Sequence, residues 1–237
     1  KTYLYIDENK QTETIIESLK AAGIEAKLYN TIASDLSEID KTILVNPEDC
    51  NEYLYQTISK EFLVEGPTIS RLLKARKNDV ECQHIEKMMV KDGIALVNAF
   101  YWLEQNIDKE RITEASFADK IAFFRSQQAG YYGESFPAIV GYKSNGAMNH
   151  YRPYHETALQ LKREDILLCD SGGQYVDGTS DITRTIALGT PREEQKIAFT
   201  LVHKGHIALD SIQYPKGTTG SQLDVLARQH LWQAGMN

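Results

Sequence analysis

Asp170 and Asp181 stand in a stretch, residues 165–185 (DILLCDSGGQYVDGTSDITRT), where strands rather than a solvated loop should hold them. Ile166 to Cys169 is a short apolar run without a helical period, bounded by Asp165 and by Ser171-Gly172-Gly173, and reads as a buried strand that Asp170 ends. Tyr175-Val176-Asp177-Gly178 carries a hairpin signal, because Asp-Gly tolerates the positive backbone angles of a tight turn. Ser180 to Leu188 reads as the second strand. If the two aspartates sit directly opposite, the hairpin centre falls between Tyr175 and Val176, ahead of Asp177-Gly178, so a bulge or a longer loop is expected. Carboxylates paired in this way repel, and burial raises the cost of ionising either, so the arrangement asks for a cation, a shared proton or solvent. A metal ion would satisfy all four oxygens. Arg184 is the rival partner, but alternation along a strand sends it to the face opposite Asp181. The plainer reading is two turn-flanking aspartates in water, and spacing alone leaves both open.

Other titratable residues carry weaker signals. His150, beside Tyr151, reads on spacing as a structural hydrogen-bonding histidine or as a catalytic one. His203, His206 and Asp210 share a helix and suggest a metal face, but no segment is visible to supply further ligands, so they read as solvated.

Regular elements flank these residues. Tyr3 to Ile6, Ile24 to Tyr29, Lys41 to Val45 and Glu61 to Glu65 read as strands, alternating with helices at Thr12 to Ala22 and Glu48 to Ser59. This is an α/β layer with some parallel pairing and no Gly-rich phosphate loop. A basic, polar boundary falls at 71–78. Beyond it, a helix from Val80 to Asn106 presents Val80, Ile85, Met88, Met89, Leu96, Phe100 and Leu103 as a core stripe, with Trp102 another core filler. Thr113 caps a helix to Gln128. Phe136 to Tyr142 is a strand, and Ser144-Asn145-Gly146 a turn into a further strand, Ala147 to Tyr151. Thr190-Pro191-Arg192-Glu193 opens a helix to about Ile212, with Thr190 as cap and Pro191 first, and a last helix runs from Ser221 to Gln233.

Composition narrows the class. The 237 residues are 42% hydrophobic with net charge −7, enough apolar content for a packed core and the wrong sign for nucleic acid or an anionic membrane as main partner. Three cysteines, Cys50, Cys82 and Cys169, form no disulfide framework and read as buried thiols in a reducing, cytoplasmic setting. The chain starts at Lys1, so it reads as a processed or truncated product.

The stretch Asp-Ser-Gly-x-Gln-Tyr-x-Asp-Gly-Thr-x-Asp-x-Thr-Arg-Thr at 170–185 resembles the first metal-binding hairpin of the pita-bread metallopeptidases, and most closely the cytosolic-type Xaa-Pro aminopeptidases. The similarity extends through Ser144-Asn145-Gly146-Ala147, His150-Tyr151, Gly189-Thr190-Pro191 and Lys204-Gly205-His206-Ile207-Ala208, covering 68–237 and more loosely the part before. It implies an α/β (α+β) chain: a partial creatinase-N-terminal-like domain at 1–72, then the first half of a pita-bread catalytic domain at 73–237. It implies two divalent ions, with manganese expected, Asp170 chelating one and Asp181 bridging both, and His150 at the substrate carbonyl. The implied reaction is removal of the N-terminal residue from peptides with proline second, by a hydroxide shared between the ions. The family's His-Gly-x-Gly-His segment and two metal-binding glutamates would follow beyond Asn237, so this chain should hold half a metal site and be inactive alone. A homodimer is a family expectation. The alternatives are a prolidase acting on Xaa-Pro dipeptides, a creatinase-like hydrolase without metal, which the two aspartates oppose, and a non-catalytic peptide-binding module.

Overall fold

Strand and helix alternate through the first 78 residues, each short strand being followed by a helix. The computed structural model describes residues 1–236, so Asn237, last residue of the expected second domain, lies outside the described residues. The chain forms two compact units, Lys1–Asn78 and the part from Asp79 onward.

In the first unit, β1 (Thr2–Ile6) pairs parallel with β2 (Ile24–Leu28) across α1 (Glu13–Ala21), whose first turn is capped by the Thr12 hydroxyl. After α2 (Ile32–Ser37), β3 (Ile43–Val45) pairs parallel with β4 (Leu63–Glu65) across α3 (Glu52–Thr57). The helix expected from Glu48 starts only at Glu52. Asn46 holds the Glu48 amide in a turn instead, and Asn51 becomes the cap, accepting from Leu54 N at 2.9 Å. α4 (Ile69–Lys74) runs into the start of the segment read as polar boundary.

The second unit opens with α5 (Asp79–Asn106), then α6 (Glu114–Ser126), capped by Thr113 and Ser116 reciprocally. The strands are β5 (Tyr131–Glu134), β6 (Ile139–Tyr142), β7 (Ile166–Ser171), β8 (Gly173–Tyr175), β9 (Gly178–Thr179) and β10 (Ile182–Ala187). They form two three-stranded sheets, ordered β10-β7-β6 and β5-β8-β9. Two helices follow, α7 (Glu193–Ser211) and α8 (Gly220–Gln233). α7 starts later than expected. Gln195 reaches back to the Arg192 amide at 2.9 Å, which makes Arg192, not Thr190, the cap residue.

Leu103, Ile112, Phe117, Ile121, Val140 and Leu167 pack where α5 and α6 lie on the sheet. The buried line of α5 is Met88, Asp92, Ala95, Leu96, Ala99 and Leu103, which keeps Met88, Leu96 and Leu103 of the expected stripe, with Phe100 and Trp102 packed against the core, and leaves out Val80, Ile85 and Met89. Val80 is 60% and Met89 41% exposed, because Met89 is turned about 100° around the helix from Met88 and faces away. A carboxylate thus occupies a core position that periodicity alone would give to an apolar residue.

Only Cys169 is a buried thiol. Cys82 is exposed on the first turns of α5 and Cys50 is half-buried, which corrects the expectation of three buried thiols. At neutral pH, alkylation followed by peptide mapping should label Cys82 first and Cys50 next, leaving Cys169 until the protein unfolds. Burial shields Cys169 and also pushes its pKa up to about 11. Prompt labelling of Cys169 in folded protein would contradict this packing.

Candidate metal centre

One antiparallel register runs through the aspartate hairpin. Ala187 faces Ile166 at its base, Ile182 faces Ser171, and the same spacing continues through Gln174 opposite Thr179 to Tyr175 opposite Gly178. The hairpin centre therefore lies between Val176 and Asp177, and no extra residue is inserted. Asp170 faces Thr183, not Asp181. Asp181 sits in the gap between β9 and β10, two residues before Thr183, which makes it the diagonal neighbour of Asp170 on the same face. The second strand is accordingly split at Ser180-Asp181 rather than continuous to Leu188.

Alternation explains which way each group points. Cys169, Ser171, Ser180 and Ile182 are buried against the helices, whereas Asp170 is half-buried and Asp181 exposed on the opposite, open face. Arg184 pairs across to Cys169 and its Nη1 turns to the carbonyl of Thr183, so it neutralises neither aspartate. Asp170 Oδ1 is buried and has no hydrogen-bond partner. An orphaned carboxylate oxygen is costly unless something else supplies a partner, and a divalent ion on the open face would do so. Hard, anionic oxygen donors on adjacent strands suit such an ion. Among the described residues no group of three or more His, Cys, Asp and Glu side chains could hold a metal ion.

The gap in the hairpin depends on Gly172. A Cβ there would lie 2.0 Å from the Ser180 carbonyl oxygen and 2.2 Å from Ser135 Oγ, both inside van der Waals contact. Ser135 donates to that same carbonyl at 2.8 Å, and Gly173 N donates to Ser180 Oγ at 2.9 Å. They stand beside the backbone bond from Ser180 N to Gly173 O at 2.9 Å, which still crosses the hairpin there.

His150 is not on a strand. Lys143–Ala147 is a 3₁₀ turn, and the chain then runs irregularly to Tyr151, with His150 exposed at φ 56°. The expected strand Ala147 to Tyr151 is overridden because the segment's hydrogen bonds go elsewhere. Met148 N bonds to Asn145 O, and Tyr151 N to Met148 O. The turn rests on the open sheet face, since Gly146 packs on Gly141 and Leu168, residues on the same side as Asp170. No hydrogen bond links His150 to either aspartate.

What holds this segment is Glu114, a fully buried carboxylate that sequence reasoning passed over. It accepts from Tyr142 N at 2.7 Å, Leu159 N at 2.8 Å, Tyr151 OH at 2.9 Å and Asn145 Nδ2 at 3.0 Å. Burial and then the Glu114 bond push the Tyr151 pKa up to about 12, so its phenol remains a donor throughout the neutral range. The donors lie 28 to 45 residues from Glu114, so only the cap before it was visible locally. Asp92 and Arg125 were also passed over. Each was betrayed only by being a charge within the apolar stripe of its helix. They form a fork-to-fork pair, Nε to Oδ1 at 2.7 Å and Nη2 to Oδ2 at 3.0 Å, both wholly buried.

Residues 83–237 match the model of Metallopeptidase family M24, and residues 1–81 match the Creatinase/Prolidase N-terminal domain. The chain is 38% identical over 245 aligned residues to a probable Xaa-Pro aminopeptidase P of Verticillium alfalfae, covering 99% of this chain and 40% of that one. It is 37% identical to the Xaa-Pro aminopeptidase ApepP of Drosophila melanogaster, covering 99% of this chain and 39% of that one. Among solved structures, the X-prolyl aminopeptidase of Caenorhabditis elegans, described as a cytosolic enzyme with a di-nuclear active site, superposes with a TM-score of 0.91. It is 32% identical, over 98% of this chain and 40% of its own. This chain thus spans about 40% of the length of such relatives. With the aspartate hairpin in place and the M24 match covering residues 83–237, more than half of the chain, the chain belongs to metallopeptidase family M24.

Proposed function

We propose that the full-length protein containing this chain is a dinuclear metal-dependent aminopeptidase that removes the N-terminal residue from peptides with proline second. The observation that carries this reading is the pair Asp170 and Asp181 on one open sheet face, with a buried Asp170 oxygen lacking a partner, in a chain similar to Xaa-Pro aminopeptidases throughout. The prolidase reading has less support, since the prolidase of Pyrococcus furiosus is 21% identical and speaks to the fold alone. Residues 1–72 and 73–237 are proposed as the rear of a non-catalytic domain and the front half of the peptidase domain. Manganese is the proposed metal, on the hardness of the oxygen donors, and the cytoplasm the proposed location, by likeness to the Caenorhabditis elegans enzyme.

An Xaa-Pro bond is a tertiary amide without an N–H, so a cleft that reads an extended backbone through that donor fits it poorly. Asp170 and Asp181 would both serve as oxygen ligands to the metal pair. The bound pair would supply Lewis acidity and a deprotonated water near neutral pH. His150, on a backbone fixed by Tyr151 and Asn145 through Glu114, would donate a hydrogen bond to the carbonyl oxygen as charge develops on it. With only two of the carboxylates present, this chain by itself is expected to turn over no substrate.

Mass spectrometry of an Xaa-Pro-Xaa peptide and an Xaa-Pro dipeptide, each incubated with manganese-loaded full-length protein, tests the proposal. Loss of one residue from the longer peptide supports it. Cleavage of the dipeptide alone makes the protein a prolidase, and cleavage of neither, with metal bound, makes it a binding module. In the same protein, His150→Ala should leave metal content intact and lower kcat by about 10²- to 10³-fold, the usual cost of losing one oxyanion donor. Unchanged turnover would remove His150 from the site.

A further inference from the structure

The tip of the aspartate hairpin is gripped by two consecutive residues of α5. Lys91 Nζ donates to Asp177 Oδ2 at 2.5 Å and to the Ala129 carbonyl at 3.2 Å. Next to it, Asp92 Oδ1 accepts from Tyr175 OH at 2.8 Å while both its oxygens are held by Arg125. Tyr175 is 2% exposed, and Tyr131 packs edge-on against its ring at 5.5 Å between centroids. Gly173 makes room for this approach, because a Cβ there would lie 2.6 Å from Tyr175 Cε2 and 3.2 Å from Asp92 Oδ1.

Volume filling alone does not account for such a construction. Apolar side chains of similar size would fill the same space without desolvating two charges, and Arg125 Nη1 is even left buried without a partner. What an ion pair adds is direction. The guanidinium fork fixes the plane of the Asp92 carboxylate, and the fixed Oδ1 sets where the Tyr175 hydroxyl must end. Tyr175 lies five residues after Asp170 on one arm of the hairpin, and Gly178, its cross-strand partner, lies three before Asp181 on the other. Since one register runs through the hairpin, pinning Tyr175 pins the stagger of the two aspartates across the split at Gly172 and Ser180.

We infer that Arg125, Asp92 and Tyr175 are positioning residues for the metal carboxylates, a buried strut from α6 through α5 to the hairpin that sets the separation of Asp170 and Asp181. The strut touches neither substrate nor metal, and lies on the helix side of the sheet while the aspartates lie on the open side. This inference rests on the metallopeptidase reading above.

Tyr175→Phe is the informative variant, because it removes one hydroxyl and keeps the ring. In the full-length protein, manganese titration followed by electron paramagnetic resonance reports affinity and the spin coupling between paired ions, and thermal melting of the metal-free form reports the fold. The expected result is about a 10-fold loss of affinity for the more weakly held ion, with altered spin coupling and a metal-free melting temperature within a few degrees of wild type. Arg125→Lys, which keeps the charge but loses the fork, should shift the coupling in the same direction. Wild-type affinity and coupling in Tyr175→Phe, with only a lowered melting temperature, would reduce the strut to a stability element and overturn the inference. Failure of the wild-type protein itself to bind a coupled pair would instead overturn the metallopeptidase reading, and this inference with it.

Discussion

Asp181→Asn in the full-length protein should abolish binding of the metal pair and lower kcat/KM by on the order of 10³-fold or more, the scale set by several kcal/mol of lost Lewis-acid stabilisation. The substitution keeps the side chain's size and removes its charge, and Asp181 is exposed in the gap between β9 and β10, so no packing depends on it. The metal-free melting temperature should therefore stay near wild type. Asp170→Asn provides the matching comparison. Its carboxylate carries a buried oxygen without a partner, so neutralising it should leave the metal-free protein as stable as wild type or more so, while metal is lost. Elemental analysis after dialysis reads both variants. Two ions retained per site in Asp181→Asn would remove it from the ligand set.

Arg125→Ala should destabilise the second unit by about 3–5 kcal/mol, since it strands a buried carboxylate with only the Tyr175 hydroxyl for a partner. Replacing both charges, Arg125→Met with Asp92→Leu, should cost much less, because desolvation of the pair disappears along with its attraction. Urea unfolding of the two variants measures the difference. A single variant as stable as the double would mean that water reaches Asp92. Such water would also weaken the case for the strut, since a solvated carboxylate has no fixed direction to impart.

The hairpin was legible because its signals are local. An apolar run before Asp170, glycines after it and Asp-Gly at the turn specify two strands and a tight connection, and alternation correctly separates Arg184 from the aspartates. The register was not legible. Asp170 directly opposite Asp181 required an inserted residue, and the structure instead keeps a two-residue loop, splits the strand at Ser180-Asp181 and sets the aspartates diagonally. Which arrangement wins depends on Ser135 and Gly172, far apart along the chain, meeting Ser180. The Ala147 to Tyr151 strand was misread for the same reason. Its apolar and aromatic residues suit a strand, but Glu114 draws Asn145 and Tyr151 into a compact loop with His150 at a left-handed position.

The sequence by itself determined the family resemblance, the alternation of elements, and which two carboxylates and which histidine are proposed for the site, because motif residues and periodicities are written within windows of some twenty residues. Only the tertiary structure decided how those groups are held. Glu114 beneath the His150 segment and the Asp92–Arg125 pair beneath the hairpin sit at positions where local pattern calls for apolar residues or simple caps. A charge can be buried only where partners from distant segments converge on it, and that convergence is a property of the fold.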